Sequence, residues 1–463
     1  MTAPRSRAPG TIRFALAGAL LLAASACGGG SSTPPPPAGC PAPSGTGTAH
    51  SGDITASTTW TAAGSPHGVA SGFGVRAGAT LTIEPCATVL LGQGAVIWVA
   101  GKLVAAGQSG RPVSIDSTGA GVRWGYLTTR AEPDGSTFID LAYTTLVNGG
   151  LTDINGLGLI DLRGTYSGYP RQPMLRVKEV TIDGTAGPYG YGLILREGAT
   201  FTADSTGLTI KNAVGRPIRA NDKSVGSIPP GSYTGNAVDE IVWTSVVPID
   251  EETAIHDRGV PYRLGEPNLN GSDMRVGLGS TGAPLVTLTV DAGVTIKVNP
   301  NGRLVMESSL NATGTGVHPS GSLIAMGTAA RPITFTSAAA VPASGDWVAL
   351  WFDTAPAPNA RLDHVRVEYA GGATYANGYH CNPSTSGYSA NENSAILMFG
   401  EPAAQFVTNS TITSSAGDGF GRAYTGSPVD FMAGNTFSGV SGCKQGFPRP
   451  QPPAGCPSPV PCP

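Results

Sequence analysis

The sequence predicts an all-β fold, a right-handed parallel β-helix in which two tandem related halves stack into one rod. Three observations predict it. One long pattern occurs twice, the runs inside it are short and β-like, and no 3.6-residue period persists after the N-terminal segment. LTIEPCATV (Leu81 to Val89) and GKLVAAGQSGRPVSI (Gly101 to Ile115) recur as LTVDAGVTI (Leu288 to Ile296) and GSLIAMGTAARPITF (Gly321 to Phe335). Downstream, RWGYL (Arg123 to Leu127) matches DWVAL (Asp346 to Leu350), and LAYTTLVNGG (Leu141 to Gly150) matches LDHVRVEYAGG (Leu362 to Gly372). The offset grows from 207 at Leu81 to 223 at Arg123, so the second copy carries longer loops between the same elements. Repetition on this scale points to stacked supersecondary units.

Within each copy, TLTI, AVIWV, KLVA and PVSI are separated by Gly, Pro or Asn turns, and each run is too short for an amphipathic helix. VTIDG (Val180 to Gly184), LTIKNAVGRPI (Leu208 to Ile218) and STITSSAGDGF (Ser410 to Phe420) share the order strand, polar turn, glycine, apolar residue. A hairpin fold would show two-residue Asn-Gly or Asp-Gly turns, and the connections here are longer. A propeller would need regular blades of roughly 40–50 residues, whereas the internal coils are uneven. The repeated pair of segments resembles the opening coils of bacterial right-handed parallel β-helix repeat lipoproteins, a broad and largely uncharacterised group. That resemblance implies a fold and no activity. At ~20–30 residues per coil, some 390 ordered residues predict ~13–18 coils and a rod of very roughly 60–85 Å.

The N-terminus reads as an export signal over residues 1–26. Arg5, Arg7 and Arg13 form a basic region, and Phe14 to Ala26 is an apolar stretch too short to span a bilayer. Ala24, Ser25 and Ala26 before Cys27 look like a lipobox, which implies lipidation of Cys27 and anchoring to the bacterial envelope, with Gly28 fitting the outer membrane. A flexible, proline-rich linker then covers 27–48. The first module is expected over 49–215, connecting coils or an insertion over 216–282, the second module over 283–446, and a proline-dense tail over 447–463 that cannot donate to a ladder. Beyond Cys27 stand Cys40, Cys86, Cys381, Cys443, Cys456 and Cys462, an even set that favours disulfides in an exported chain. The expected pairs are Cys40–Cys86, Cys381–Cys443 and Cys456–Cys462. Their spacing shows no zinc pattern, and neither a metal nor a cofactor is expected.

Only 13% of residues are charged, against a usual ~25%. In a stacked fold equivalent positions lie ~4.8 Å apart, so a repeated charged position becomes a column of like charges. The net charge of −3 argues against a nucleic-acid partner. An acidic-polysaccharide ligand would call for a Lys/Arg stripe, and none is visible along the chain. Enzymes of this fold act on acidic polysaccharides, but the paired acids, Gly-His-Gly and Arg-Ile-Lys of pectin hydrolases are missing. Asp250, Glu251 and Glu252 form the one acidic triplet and read as a solvated loop.

The densest polar constellation is Asp363, His364, Arg366, Glu368 and Tyr369. Strand alternation places His364, Arg366 and Glu368 on one face, where they could perform acid–base work, and the first copy has no ionisable equivalent. Trp98, Trp124 and Trp347 are expected as core fillers, while Trp351 and the loop tyrosines Tyr375, Tyr379 and Tyr388 form the candidate binding surface. The reading is an exported surface lipoprotein, partnered with the membrane through its anchor, acting as a non-catalytic scaffold or carbohydrate-binding, adhesin-like module. The alternative is a polysaccharide lyase or glycoside hydrolase centred on Asp363, His364, Arg366 and Glu368.

Overall fold

The computed structural model describes residues 39–41, 46–130, 132, 135–150, 158–165, 170–186, 190–375, 381–382, 387–388, 393–424, 426–446 and 462. The export signal, Cys27, Tyr379, Cys456 and most of the proline-dense tail lie outside the described residues, as do the side chains of Cys381 and Tyr388.

The backbone winds as a parallel β-helix. Thr80–Ile83, Thr88–Leu91 and Val96–Val99 form three sides of one coil, and Lys102–Ala106 then lies directly on Thr80–Ile83. Each strand hydrogen-bonds to the coils before and after it, so like side chains stack. Leu81, Leu103, Ile139 and Leu175 form one inward column, and Val89, Ile115, Leu146, Ile182 and Ile210 another. All nine are buried. Each buried side chain of this size contributes roughly 1.5–3 kcal/mol, which is why the short apolar runs hold without any helix. Trp124 and Trp347 are fully buried fillers, each donating its indole N–H to a carbonyl at 2.7 Å, Val147 O and Glu368 O. Among the described residues the only antiparallel strand pairs are two short hairpins, Ser308–Leu310 with Val317–Pro319 and Cys381–Asn382 with Gly387–Tyr388, beside one isolated antiparallel bridge, Gln108 to Arg111.

One sheet of 13 strands runs the length of the rod, from Gly72–Val75 to Thr436–Ser438. Residues 216–282 contribute to it, because Ile218–Asn221, Ile241–Thr244 and Tyr262–Leu264 are consecutive members. That segment is therefore stacked coil. It also re-phases the two copies. In the first copy the long sheet takes the third strand of each coil, Val96–Val99 and Leu127–Thr129. In the second copy it takes the second strand, Thr295–Val298, Ile333–Ser337 and Val365–Glu368. The second copy's third strands, Arg303–Met306 and Leu350–Phe352, occupy a new five-stranded sheet that begins at Asp273–Val276. The copies are thus offset by one side of the coil. A first-copy sheet ends at Gly231–Ser232, and the Ile249–Val276 bridge opens the new side.

The acidic triplet lies at this seam in a loop with Glu251 and Glu252 exposed, in keeping with its reading as a solvated loop, and it also makes contacts to the rod. Asp250 pairs with Lys223 at 2.9 Å, Glu251 with Arg171 at 3.4 Å, and Glu252 accepts the Thr287 amide at 3.0 Å. Each reaches a neighbouring coil. A cleft of about 410 Å³, lined by Arg171, Lys223, Glu252, His256 and Arg258 among others, opens beside them.

Ile54 bridges Val75 at the first coil, and Phe420 bridges Gln445 at the last. Cys40 is bonded to Cys86, as the sequence suggested. At the other end the pairing differs: Cys443 is bonded to Cys462, which overturns both Cys381–Cys443 and Cys456–Cys462. Cys443 is buried on the final coil, where its amide donates to Asp418, and its sulfur is bonded to Cys462.

Candidate functional site

The constellation at 363–368 does not assemble into one face. His364 sits at φ 51°, a left-handed corner between Arg361–Asp363 and Val365–Glu368, and this breaks the alternation assumed across it. Asp363 and His364 turn into the corner, while Arg366 projects outward from the long sheet. The Asp363 carboxylate accepts His364 Nδ1 at 2.8 Å, Thr408 Oγ1 at 2.7 Å and Asn409 Nδ2 at 2.7 Å. Burial pushes its pKa up, but those three donors outweigh it and hold the carboxyl below the usual range. The arrangement is a corner clamp that recurs along the rod. Asn148 at φ 56° donates to Asp116 at 2.8 Å, and Asn212 at φ 55° donates to Asp183 at 2.7 Å. Asparagine tolerates the left-handed region, and its amide ties each corner to the coil below. Glu368 accepts the Thr336 hydroxyl at 3.0 Å on the neighbouring rung, away from His364.

The aromatic candidates also separate. Tyr375 is 86% exposed, whereas Trp351 is 9% exposed, between the Arg303 guanidinium at 4.7 Å and the Phe399 ring at 5.0 Å. Buried to this extent, Trp351 is packing and presents no stacking platform. Trp98, expected in the core, instead points outward, half-buried, under the Arg76 guanidinium at 4.5 Å. Gly74 makes room for it, since a Cβ there would stand 2.0 Å from the indole.

What the sequence hid is an outward row on the long sheet. Register aligns Gly74, Trp98, Thr128, Asp161, Ile194, Arg219, Val242, Arg263, Lys297, Thr336, Glu368, Thr413 and Ser438, one residue per rung. In its middle, charges cluster. Asp161, with no exposed side-chain surface, pairs with Arg196 at 2.8 Å and Arg163 at 3.3 Å. Glu240, 7% exposed, serves three cations: Lys297 at 2.7 Å, Arg216 at 3.2 Å and Arg263 at 3.8 Å. Glu266 holds Arg219 through its Nε at 2.5 Å. Burial raises the Glu240 pKa, but the Lys297 hydrogen bond and the three positive charges outweigh it and hold the carboxyl below its ordinary value. Tyr191, Ile194 and Val242 form a small apolar cluster among these side chains, and burial pushes the Tyr191 hydroxyl up to about 12. No run of basic residues announces this row, because its members come from different coils.

The chain matches no family model, no curated protein and no solved structure.

Proposed function

We propose that the protein is an exported, lipid-anchored scaffold of the outer cell surface that binds carbohydrate without transforming it. The observation that carries the binding part is the register-aligned row on the long sheet that runs from Gly72–Val75 to Thr436–Ser438. Its repeat of about 4.8 Å is close to the length of one sugar unit in an extended glycan, so a periodic polymer can meet equivalent positions rung after rung. Trp98, half-buried, offers an indole for sugar faces, and Thr128, Thr336 and Thr413 offer hydroxyl oxygens. Export and anchoring are supported by the basic and apolar residues before Cys27. A glycan-array screen of the full lipoprotein in detergent tests the reading: it expects polymeric glycans to be retained, and an empty array contradicts it.

A second reading, a glycoside hydrolase, has one observation in its favour. Glu307 and Asp353 follow the paired residues Met306 and Phe352, which places two carboxylates on consecutive rungs, and burial raises the Glu307 pKa. Retaining glycosidases hold their carboxyl pair about 5–5.5 Å apart. Release of reducing ends from any bound glycan, abolished by Glu307→Gln, would replace the non-catalytic reading with this one.

A further inference from the structure

We infer that the middle of the outward row, from Arg163 to Lys297, is a binding site for a linear anionic glycan, one whose repeating units carry carboxylate or sulfate. This rests on the carbohydrate reading above and narrows it. Six cations, Arg163, Arg196, Arg216, Arg219, Arg263 and Lys297, share only three acids, Asp161, Glu240 and Glu266. The chain as a whole carries −3, so the positive excess here is local.

Several of these cations keep donors in reserve. Arg196 meets Asp161, and Arg216 meets Glu240, through Nε. Among the described residues the forked Nη ends of both make no hydrogen bond, which leaves the planar, two-pronged geometry that suits a carboxylate or sulfate. Lys297 and Arg163 retain 33% and 46% of their side-chain exposure, so both ends of the cluster are open to solvent. Arg163 and Arg196 are register partners on consecutive rungs, a repeat of like charge that is unfavourable alone and favourable against a ligand with charges at a similar spacing. Asp161 to Lys297 spans five rung steps, roughly 24 Å, enough for several sugar units.

Titration of the full lipoprotein in detergent with polygalacturonate, dextran sulfate, neutral dextran and double-stranded DNA tests the inference. Binding of polygalacturonate or dextran sulfate, weakened by added salt and absent for dextran, supports it, and the preferred one of the two identifies the anion. Arg196→Gln and Arg216→Gln should each weaken that binding ~10-fold. Arg366→Gln, on the same sheet outside the cluster, should leave it unchanged. Retention of neutral dextran alone overturns the inference and leaves the carbohydrate reading standing, whereas no glycan binding overturns both. DNA bound as tightly as polygalacturonate, or Arg366→Gln as damaging as Arg196→Gln, overturns the site.

Discussion

Glu240 is the acid whose removal tests the charged row most sharply. Its two carboxylate oxygens hold Lys297 at 2.7 Å, Arg216 at 3.2 Å and Arg263 at 3.8 Å, and its own side chain is 7% exposed. Glu240→Gln keeps the shape and deletes the charge. Arg263 and Lys297 then face one another on consecutive rungs with nothing between them. Two unit charges ~5 Å apart at an effective dielectric of about 20 repel by about 3 kcal/mol. Solvent at the partly exposed Lys297 reduces that, and stranding a buried partner costs a similar amount, so a loss of about 2–4 kcal/mol is expected. Stability in a solenoid is carried by neighbouring coils, so the loss should concentrate locally. Equilibrium urea unfolding gives the total, and amide hydrogen exchange at Ile241–Thr244, Tyr262–Leu264 and Thr295–Val298 locates it. Adding Lys297→Met should recover part of the loss. The pH dependence follows from the lowered carboxyl pKa: the contribution of Glu240 is present above 4.5 and is lost as pH falls below it. A Glu240→Gln protein within ~0.5 kcal/mol of the parent, or a double variant whose costs merely add, would refute the shared-carboxylate reasoning.

Three further outcomes are expected. Trp347→Ala, at a site with no exposed surface, should cost about 3–5 kcal/mol in urea unfolding and also strand the Glu368 carbonyl. Gly74→Val should lower the thermal midpoint and raise the exposure of Trp98 to quenchers, because its Cβ would collide with the indole and displace it from Arg76. At the N-terminal end, His67 donates from Nε2 to Thr61 O at 2.9 Å, leaving its Nδ1 to accept from His50 Nε2 at 2.9 Å. Burial first, and then the neighbouring His67, lower the His50 pKa from 6.5, so folding favours the neutral ring. This end should be firm above pH 6.5 and loosen as pH falls through it, read as a falling amide protection factor at Thr48–His50 once the intrinsic exchange rate is divided out; a protection factor that does not change with pH there would contradict the pairing.

The fold was legible because the inward columns are made of the same short apolar runs in both copies. Leu81 and Leu288, Ile115 and Phe335 fill equivalent rungs, and Trp124 and Trp347 do the same job a copy apart. The candidate site was far less legible, for two physical reasons. A single left-handed residue at His364 reverses which way the next side chain points, and strand alternation cannot see it. The charged row is assembled from Asp161, Arg219, Arg263 and Lys297, whose spacing is set by turn lengths that differ from coil to coil. The shift of the second copy by one side of the coil lies in 216–282, where the repeat is weakest, and so the two halves look stackable face on face in the sequence. The Cys443–Cys462 bond is one of several pairings the cysteine spacing allows, and local spacing does not choose among them.

Distance along the rod tests the winding itself. Thr128 and Thr413 lie nine rungs apart in the outward row, and nitroxide labels at those positions should show a pulsed-EPR separation near ~43 Å. Moving the second label from Thr413 to Glu368 should shorten it by about 5 Å, one rung. A short, broad distribution that ignores the move would mean that these residues do not share one axial row.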